Sequence, residues 1–195
     1  MKHATPTILL LASLAFALAA CGARDPRTAT TANGPGPEAS RPAGLIVNGG
    51  FEAADHEPWT KIVHATPDAY TFELDRSGAF AGNAAMRITG DGTEPWGGIV
   101  QMVSRGNSDA IRLRLSAMAR GRAMPGGIHL MATFRDGPMT DPVEMDHLGF
   151  GADFDWQRVE MDFDVPAGVS RVEVGLLLQG AGTLWLDEVD LRPAP

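Results

Sequence analysis

Cys21 is the one thiol in the chain, and its neighbours suit it to modification rather than to catalysis. Ile8 to Ala20 is an almost unbroken apolar run, preceded by Lys2 and His3, and small residues flank the thiol in Leu18-Ala19-Ala20-Cys21-Gly22. The run is shorter than the roughly 20 residues of a spanning helix. It reads as the apolar region of an export signal ending in a small-residue cleavage site. Elsewhere, Glu144-Met145-Asp146-His147 brings acid and imidazole together, as a metal site or a general base would need. It lies in a Pro- and Gly-punctuated connection with nothing in sequence paired to it, and a surface loop is expected there. The chain has no Gly-x-Ser-x-Gly elbow and no His-Glu-x-x-His. Paired carboxylates for glycoside hydrolysis would depend on a spatial separation that sequence does not give. A non-enzyme is expected.

Leu18-Ala19-Ala20-Cys21 resembles the lipobox of bacterial lipoproteins. The resemblance implies a signal peptide over 1–20, cleavage before Cys21, and diacylglycerol with further acyl chains such as palmitate on that residue. One acyl chain binds membranes marginally, at about 0.8 kcal/mol per buried CH₂, and several on one cysteine give a stable membrane anchor. Gly22 stands where Asp would resemble an inner-membrane retention signal, which points to the outer membrane of the cell envelope. An ordinary secretory signal, with Cys21 incidental, is the alternative.

The chain has 195 residues with 16 Lys and Arg against 24 Asp and Glu. Without Lys2 the mature form has 15 basic against 24 acidic residues, a net charge of −9. Such a protein repels phosphate backbones, so nucleic acid is not an expected partner. A single cysteine permits no internal disulfide. Gly22 to Gly44 holds no Val, Ile, Leu, Met or aromatic residue. It cannot bury enough apolar surface to offset ordering entropy and is expected, with Cys21, to be a disordered linker over 21–44. Residues 45–195 are the size of one domain with its own core.

That domain must be built from strands. Ile111, Leu113, Leu115 and Ala117 alternate with polar residues, as do Ile128, Leu130, Ala132 and Phe134, and Val159, Met161, Phe163 and Val165. Val172, Val174, Leu176 and Leu178 alternate in part. Tyr70–Asp75, Ala84–Thr89 and Ile99–Val103 are further candidates. Period two with one apolar face, punctuated by Gly90-Asp91-Gly92, Pro125-Gly126-Gly127 and Gly180-Ala181-Gly182, predicts an all-β antiparallel β-sandwich or jelly roll. Asp187 shares parity with Trp185, Val189 and Leu191. Inward, it needs a metal, a cation or several donors; a bulge turning it outward is the alternative.

Asn48-Gly49-Gly50-Phe51-Glu52, Trp59, Ser77-Gly78-Ala79-Phe80-Ala81-Gly82-Asn83, Trp156-Gln157-Arg158 and the closing Gly182-Thr183-Leu184-Trp185-Leu186-Asp187-Glu188-Val189-Asp190-Leu191 resemble galactose-binding-like jelly rolls. More narrowly, they are similar to the carbohydrate-binding modules of bacterial cellulases and xylanases. The resemblance implies a structural Ca²⁺ tying first strand to last, held by Glu52 and Asp187. Hydrogen bonds accepted by these carboxylates from backbone N–H groups or an arginine are the plainer alternative. It also implies that Trp59, Trp156 and Trp185 pack in the core. Trp96 is left over, in a loop-like stretch, and could offer a face to a sugar ring. Gln101 is either a lone polar core residue or a ligand contact. Arg87, Arg112, Arg114, His129 and Arg135 lie on the non-core parity, a cradle for a hydroxyl-rich or acidic glycan if their strands adjoin. The expected ligand contacts are thus Trp96, Gln101, Arg87, His129 and Arg135. The function expected is non-catalytic glycan binding by an exported, lipid-anchored envelope protein; the alternative is a sandwich that docks an envelope protein.

Overall fold

The computed structural model describes residues 44–136 and 142–195. The expected signal peptide, Cys21 and all but the last residue of the expected linker lie outside them. Ten strands follow in order: β1 Thr60–Val63, β2 Tyr70–Asp75, β3 Ala85–Gly90, β4 Trp96–Ser104, β5 Ile111–Arg122, β6 Ile128–Phe134, β7 Pro142–Leu148, β8 Phe154–Val165, β9 Arg171–Gln179 and β10 Gly182–Pro193. A single 3-10 turn, Pro67–Ala69, precedes β2. One five-stranded sheet runs β1-β4-β9-β6-β7 and the other β2-β3-β10-β5-β8, with every pair antiparallel. This is the sandwich that the alternation predicts.

The core forms because the apolar parity of each strand faces the opposite sheet. Ile99, Leu130, Val174 and Leu176 of the first sheet meet Ile88, Leu115, Phe163 and Leu186 of the second, all essentially inaccessible to water. Sequence boundaries differ at three places. The stretch around Glu144 is a strand, β7, rather than a loop. Trp96 opens β4 rather than sitting in a loop. The short β1, half of it exposed, carries too little alternation to be seen.

Before β1 the chain closes the sandwich. Leu45 N donates to Leu191 O at 2.8 Å and Val189 N to Gly49 O at 2.9 Å, so residues 45–49 follow β10. Phe51 and Trp59 are buried with ring centroids 5.8 Å apart, and Trp59 Nε1 donates to Asn48 O at 3.0 Å. Asn48 adopts φ 54°, a left-handed conformation that asparagine tolerates better than most residues. Its side-chain amide donates to the carbonyls of Asp55 and Glu57.

Trp156 and Trp185 are corrections to the sequence reading. They lie half-buried on the outer face of the second sheet, with the Arg120 guanidinium 5.0 Å from one ring and 4.4 Å from the other. The outer face offers indole a cation on its π surface, and Trp185 Nε1 a carboxylate, Asp75 Oδ2 at 2.8 Å. Trp59→Ala should therefore cost about 3–5 kcal/mol as a core truncation. Trp156→Ala should cost less, in the range of about 0.5–2 kcal/mol set by the lost cation–π contact. Urea unfolding of both variants checks the order.

Candidate functional site

The outer face of the first sheet carries a groove of about 610 Å³, within the range of small-ligand sites. Its floor is apolar: Val100 of β4, Met131 of β6 and Leu177 of β9 cluster there, with Ile62 and Trp96 packed against them. Gly175 keeps the floor level, because a Cβ there would come within 2.8 Å of Val100 and 3.0 Å of Met131. His129, Gln179, Arg135 and Glu173 supply the polar edges. From Glu173 to Gln179 the groove follows β9 for six residue steps, about 20 Å at the strand rise.

Trp96 is braced from one side. His64 meets its ring edge-on, with centroids 5.7 Å apart and planes at 79°, and His64 N donates to Trp96 O at 3.1 Å. His64 Nδ1 lies 2.8 Å from Glu94 Oε2, while Glu94 Oε1 accepts from Thr66 N at 3.0 Å and Thr66 Oγ1 at 2.5 Å. The Thr66 hydroxyl and then His64 hold the Glu94 carboxyl below its ordinary value. Beneath, Tyr70 stands where Cβ atoms on Gly90 or Gly97 would collide with it, and its hydroxyl sits 3.0 Å from Gly180 O. Burial raises the Tyr70 pKa.

Three of the five expected contacts meet here: Trp96, His129 and Arg135. His129 Nε2 lies 3.1 Å from Gln179 Oε1, and Arg135 is ion-paired with Glu173. Among the described residues, the buried side-chain polar atoms without a hydrogen-bond partner are His129 Nδ1 and Thr133 Oγ1. Both belong to residues on the outward parity of β6.

The other two lie elsewhere. Gln101 faces inward with Ile99 and Val103 and is 2% exposed. Its amide accepts from Val47 N and donates to Val47 O, both at 2.9 Å, so it fastens the entering chain. Arg87 lies on the opposite sheet, paired with Glu73 and Asp75. Arg112 and Arg114 share that sheet and pair with Asp164 and Asp162. The parity that groups these arginines with His129 holds within each strand, but the strands belong to two sheets.

Sequence reasoning missed the floor, although a signal exists. Val100, Met131 and Leu177 are apolar residues on the polar parity of their strands. Such breaks in alternation mark a sheet with a second apolar face.

Asp187 is fully buried at a bulge in β10, where the pairing with β5 slips between Asp187 and Asp190 and Glu188 takes φ 49°. It lies on the same face as Trp185 and is buried there beneath the β2–β3 loop. Its Oδ2 accepts from Phe80 N at 2.9 Å and Ala81 N at 3.0 Å, and its Oδ1 from Glu188 N at 2.8 Å. Glu52 Oε1 accepts from Asn83 N at 2.7 Å and Ala84 N at 3.1 Å, and Oε2 from the Asn83 amide at 3.0 Å. The two carboxylates thus clamp the β2–β3 loop. Burial raises the Asp187 pKa, with the Glu52 charge adding to the rise, whereas the Asn83 hydrogen bonds lower that of Glu52. The donor set fits a hard cation in kind. A Cβ on Gly50 would lie 3.4 Å from Glu188 Oε1 and 3.9 Å from Asp187 Oδ1, so a third carboxylate comes near. Among the described residues no three His, Cys, Asp or Glu side chains group closely enough to hold an ion alone. Carbonyls and water would have to complete a shell of 6–8 oxygens.

No protein-family model matches the chain, and no curated protein matches it by sequence. Solved structures do match. The CBM22-1 xylan-binding domain from Paenibacillus barcinonensis superposes with a TM-score of 0.57 at 20% identity, covering 79% of this chain and 97% of that one. A family 61 carbohydrate-binding module, TmCBM61, solved with β-1,4-galactotriose, gives 0.54 at 16% identity over 78% of this chain and 100% of that one. The enzymatically active domain of bacteriophage CBA120 tailspike protein 4 gives 0.60 at 14% identity over 77% of this chain, which spans 21% of that one. The fold is the jelly roll of carbohydrate-binding modules.

Asp75 offers a pH test of the outer face. The Ser77 hydroxyl and then the Trp185 indole hold its carboxyl down to about 2. A depressed folded-state pKa contributes stability that is present above the unfolded value and lost as pH falls through the folded one. The wild type should lose stability between about pH 4 and 2, and Asp75→Asn should flatten that limb in urea titrations at stepped pH.

Proposed function

We propose that this protein is a non-catalytic glycan-binding protein, lipid-anchored in the bacterial envelope through Cys21. The observation that carries the glycan reading is the groove: an apolar floor, the braced indole of Trp96, and planar polar groups from Gln179, Arg135 and His129 along its edges. A sugar ring has apolar C–H faces and a polar equator of hydroxyls, so it suits an aromatic surface flanked by amide, guanidinium and imidazole groups. A groove about 20 Å long has room for more than one ring. Two of the matching structures are by name a xylan-binding domain and a module holding β-1,4-galactotriose, which supports an oligosaccharide as ligand.

The test is a glycan array followed by calorimetry on any hit. Trp96→Ala should lower affinity tenfold or more, about 1.4 kcal/mol or above, while reducing unfolding stability less than Trp59→Ala. A protein that binds no glycan on the array, or a Trp96→Ala variant that binds as tightly as the wild type, overturns the reading.

The anchor is supported by Leu18-Ala19-Ala20-Cys21 following an apolar run. Cys21→Ser should move the protein from the membrane to the soluble fraction on ultracentrifugation, and retention of the variant in the membrane pellet refutes it. Outer-membrane placement is supported by Gly22, in place of Asp, after the cysteine, and is tested by the same fractionation on a sucrose gradient.

A structural Ca²⁺ at Glu52 and Asp187 is the third element. It is supported by the raised carboxyl of buried Asp187 facing Glu52, whose mutual repulsion a cation would relieve. A ligand of the folded state adds about 2.7 kcal/mol at a hundredfold excess over Kd, so the melting temperature should rise with Ca²⁺ and fall with EGTA. Asp187→Asn keeps an acceptor for the loop amides, removes the charge and should abolish the response. Melting indifferent to both reagents rules the ion out and leaves the amide clamp alone.

A further inference from the structure

The acid–imidazole stretch that stands apart in the sequence is strand β7, and its histidine has a partner. His147 lies directly opposite His129 of β6, with ring centroids 4.7 Å apart and planes tilted by 38°. His147 Nε2 is 2.8 Å from the Gly126 carbonyl oxygen, and His129 Nε2 is 3.1 Å from Gln179 Oε1. Both oxygens can only accept, so each neutral ring carries its proton on Nε2 and keeps the lone pair on Nδ1. His129 Nδ1 is buried and has no hydrogen-bond partner among the described residues. Gly127, at φ 78°, leaves space for the Gly126 contact, since a Cβ there would lie 2.9 Å from His147 Nε2. An imidazole whose N–H is fixed on an oxygen and whose other nitrogen is bare is the form in which histidine ligates a metal.

We propose that His129 and His147 form a two-imidazole site, through Nδ1 of each, for a divalent transition metal of the Zn²⁺, Cu²⁺ or Ni²⁺ class at the mouth of the groove. Two metal–nitrogen bonds of about 2.1 Å span up to about 4.2 Å, the same scale as the 4.7 Å between the two ring centroids. No third His, Cys, Asp or Glu among the described residues joins them. The remaining coordination positions are therefore open to water and to an oxygen-rich occupant of the groove that His129 lines. Imidazole ligands suit these metals, whereas Ca²⁺ takes oxygen, so the site is independent of Glu52 and Asp187. It is also independent of the glycan reading, because the metal alone is the probe.

The experiment is calorimetric titration of the full chain carrying Cys21→Ser, which removes the one thiol, with ZnCl₂ and with NiCl₂. The same titrations are made with His129→Ala, His147→Gln and Gln179→Ala added. His147→Gln keeps a donor for the Gly126 carbonyl while removing the ligating nitrogen. Melting of each variant in EDTA verifies that it is folded. Saturable binding of one ion is expected, weakened at least tenfold by either histidine substitution. Gln179→Ala removes no ligand and should weaken binding about 10–100-fold by freeing the His129 ring. Absence of saturable binding to the Cys21→Ser chain, or undiminished affinity in a folded His129→Ala or His147→Gln variant, overturns the proposal.

Discussion

The structure depends on one buried carboxylate. Asp187 sits at the point where β10 slips its register, and its two oxygens collect three backbone N–H groups from two separate stretches of chain. An unpaired charge there would be costly, and removing one partner of such a set is more destabilising than the set is stabilising. What it secures is the β2–β3 loop, which Glu52 grips from the other side. Glu52 is fixed in turn because Val189 N donates to Gly49 O, which lays the entering chain along β10. First segment, first hairpin and last strand therefore share one junction.

The same junction shapes the outer face of the second sheet. The loop held by Asp187 and Glu52 brings Phe80 within 5.8 Å of Trp156, and Gly78 against Arg120, where a Cβ would stand 3.1 Å from Nη2. Arg120 fills the space between Trp156 and Trp185, and Asp75 takes the Trp185 indole proton. Exposed ion pairs are individually worth about 0–1 kcal/mol. The tryptophans hold their places because cation, indole and carboxylate are arranged together.

Much of this fold is legible in sequence because period two is a local property. Strands β5, β6, β8 and β9 follow from their alternating residues, and the antiparallel sandwich from their number and the turns between them. Sheet membership is not local. Arg87 and His129 both stand on polar parity, and nothing in either strand says that β3 and β6 belong to opposite sheets. Gln101 shows a second limit: one polar residue on apolar parity is either a ligand contact or a fastener, and only the position of Val47 across the fold decides for the latter. Of the candidate site, Trp96, His129 and Arg135 could be named but not assembled. The floor residues Val100, Met131 and Leu177 were visible only as breaks in alternation. Parity groups Asp187 with outward-facing Trp185 and inward-facing Leu191 alike because the register slips between them, and two of the three amides that bury its carboxylate come from residues more than a hundred positions away.

The two outer faces differ in how completely they satisfy themselves. On the second sheet each arginine named has a carboxylate or an indole pair: Arg87 with Glu73, Arg112 with Asp164, Arg114 with Asp162 and Arg120 between two tryptophans. On the first sheet Val100, Met131 and Leu177 are buried beneath Ile62 and Trp96, and the buried polar atoms without partners among the described residues belong to His129 and Thr133. Buried polar groups are normally paired, and exceptions call for a reason. An apolar floor beside a few polar atoms without partners is a combination that ligand grooves share. The two faces thus divide the work: ion pairs and cation–indole packing on the second sheet, the groove with its two unpaired polar atoms on the first.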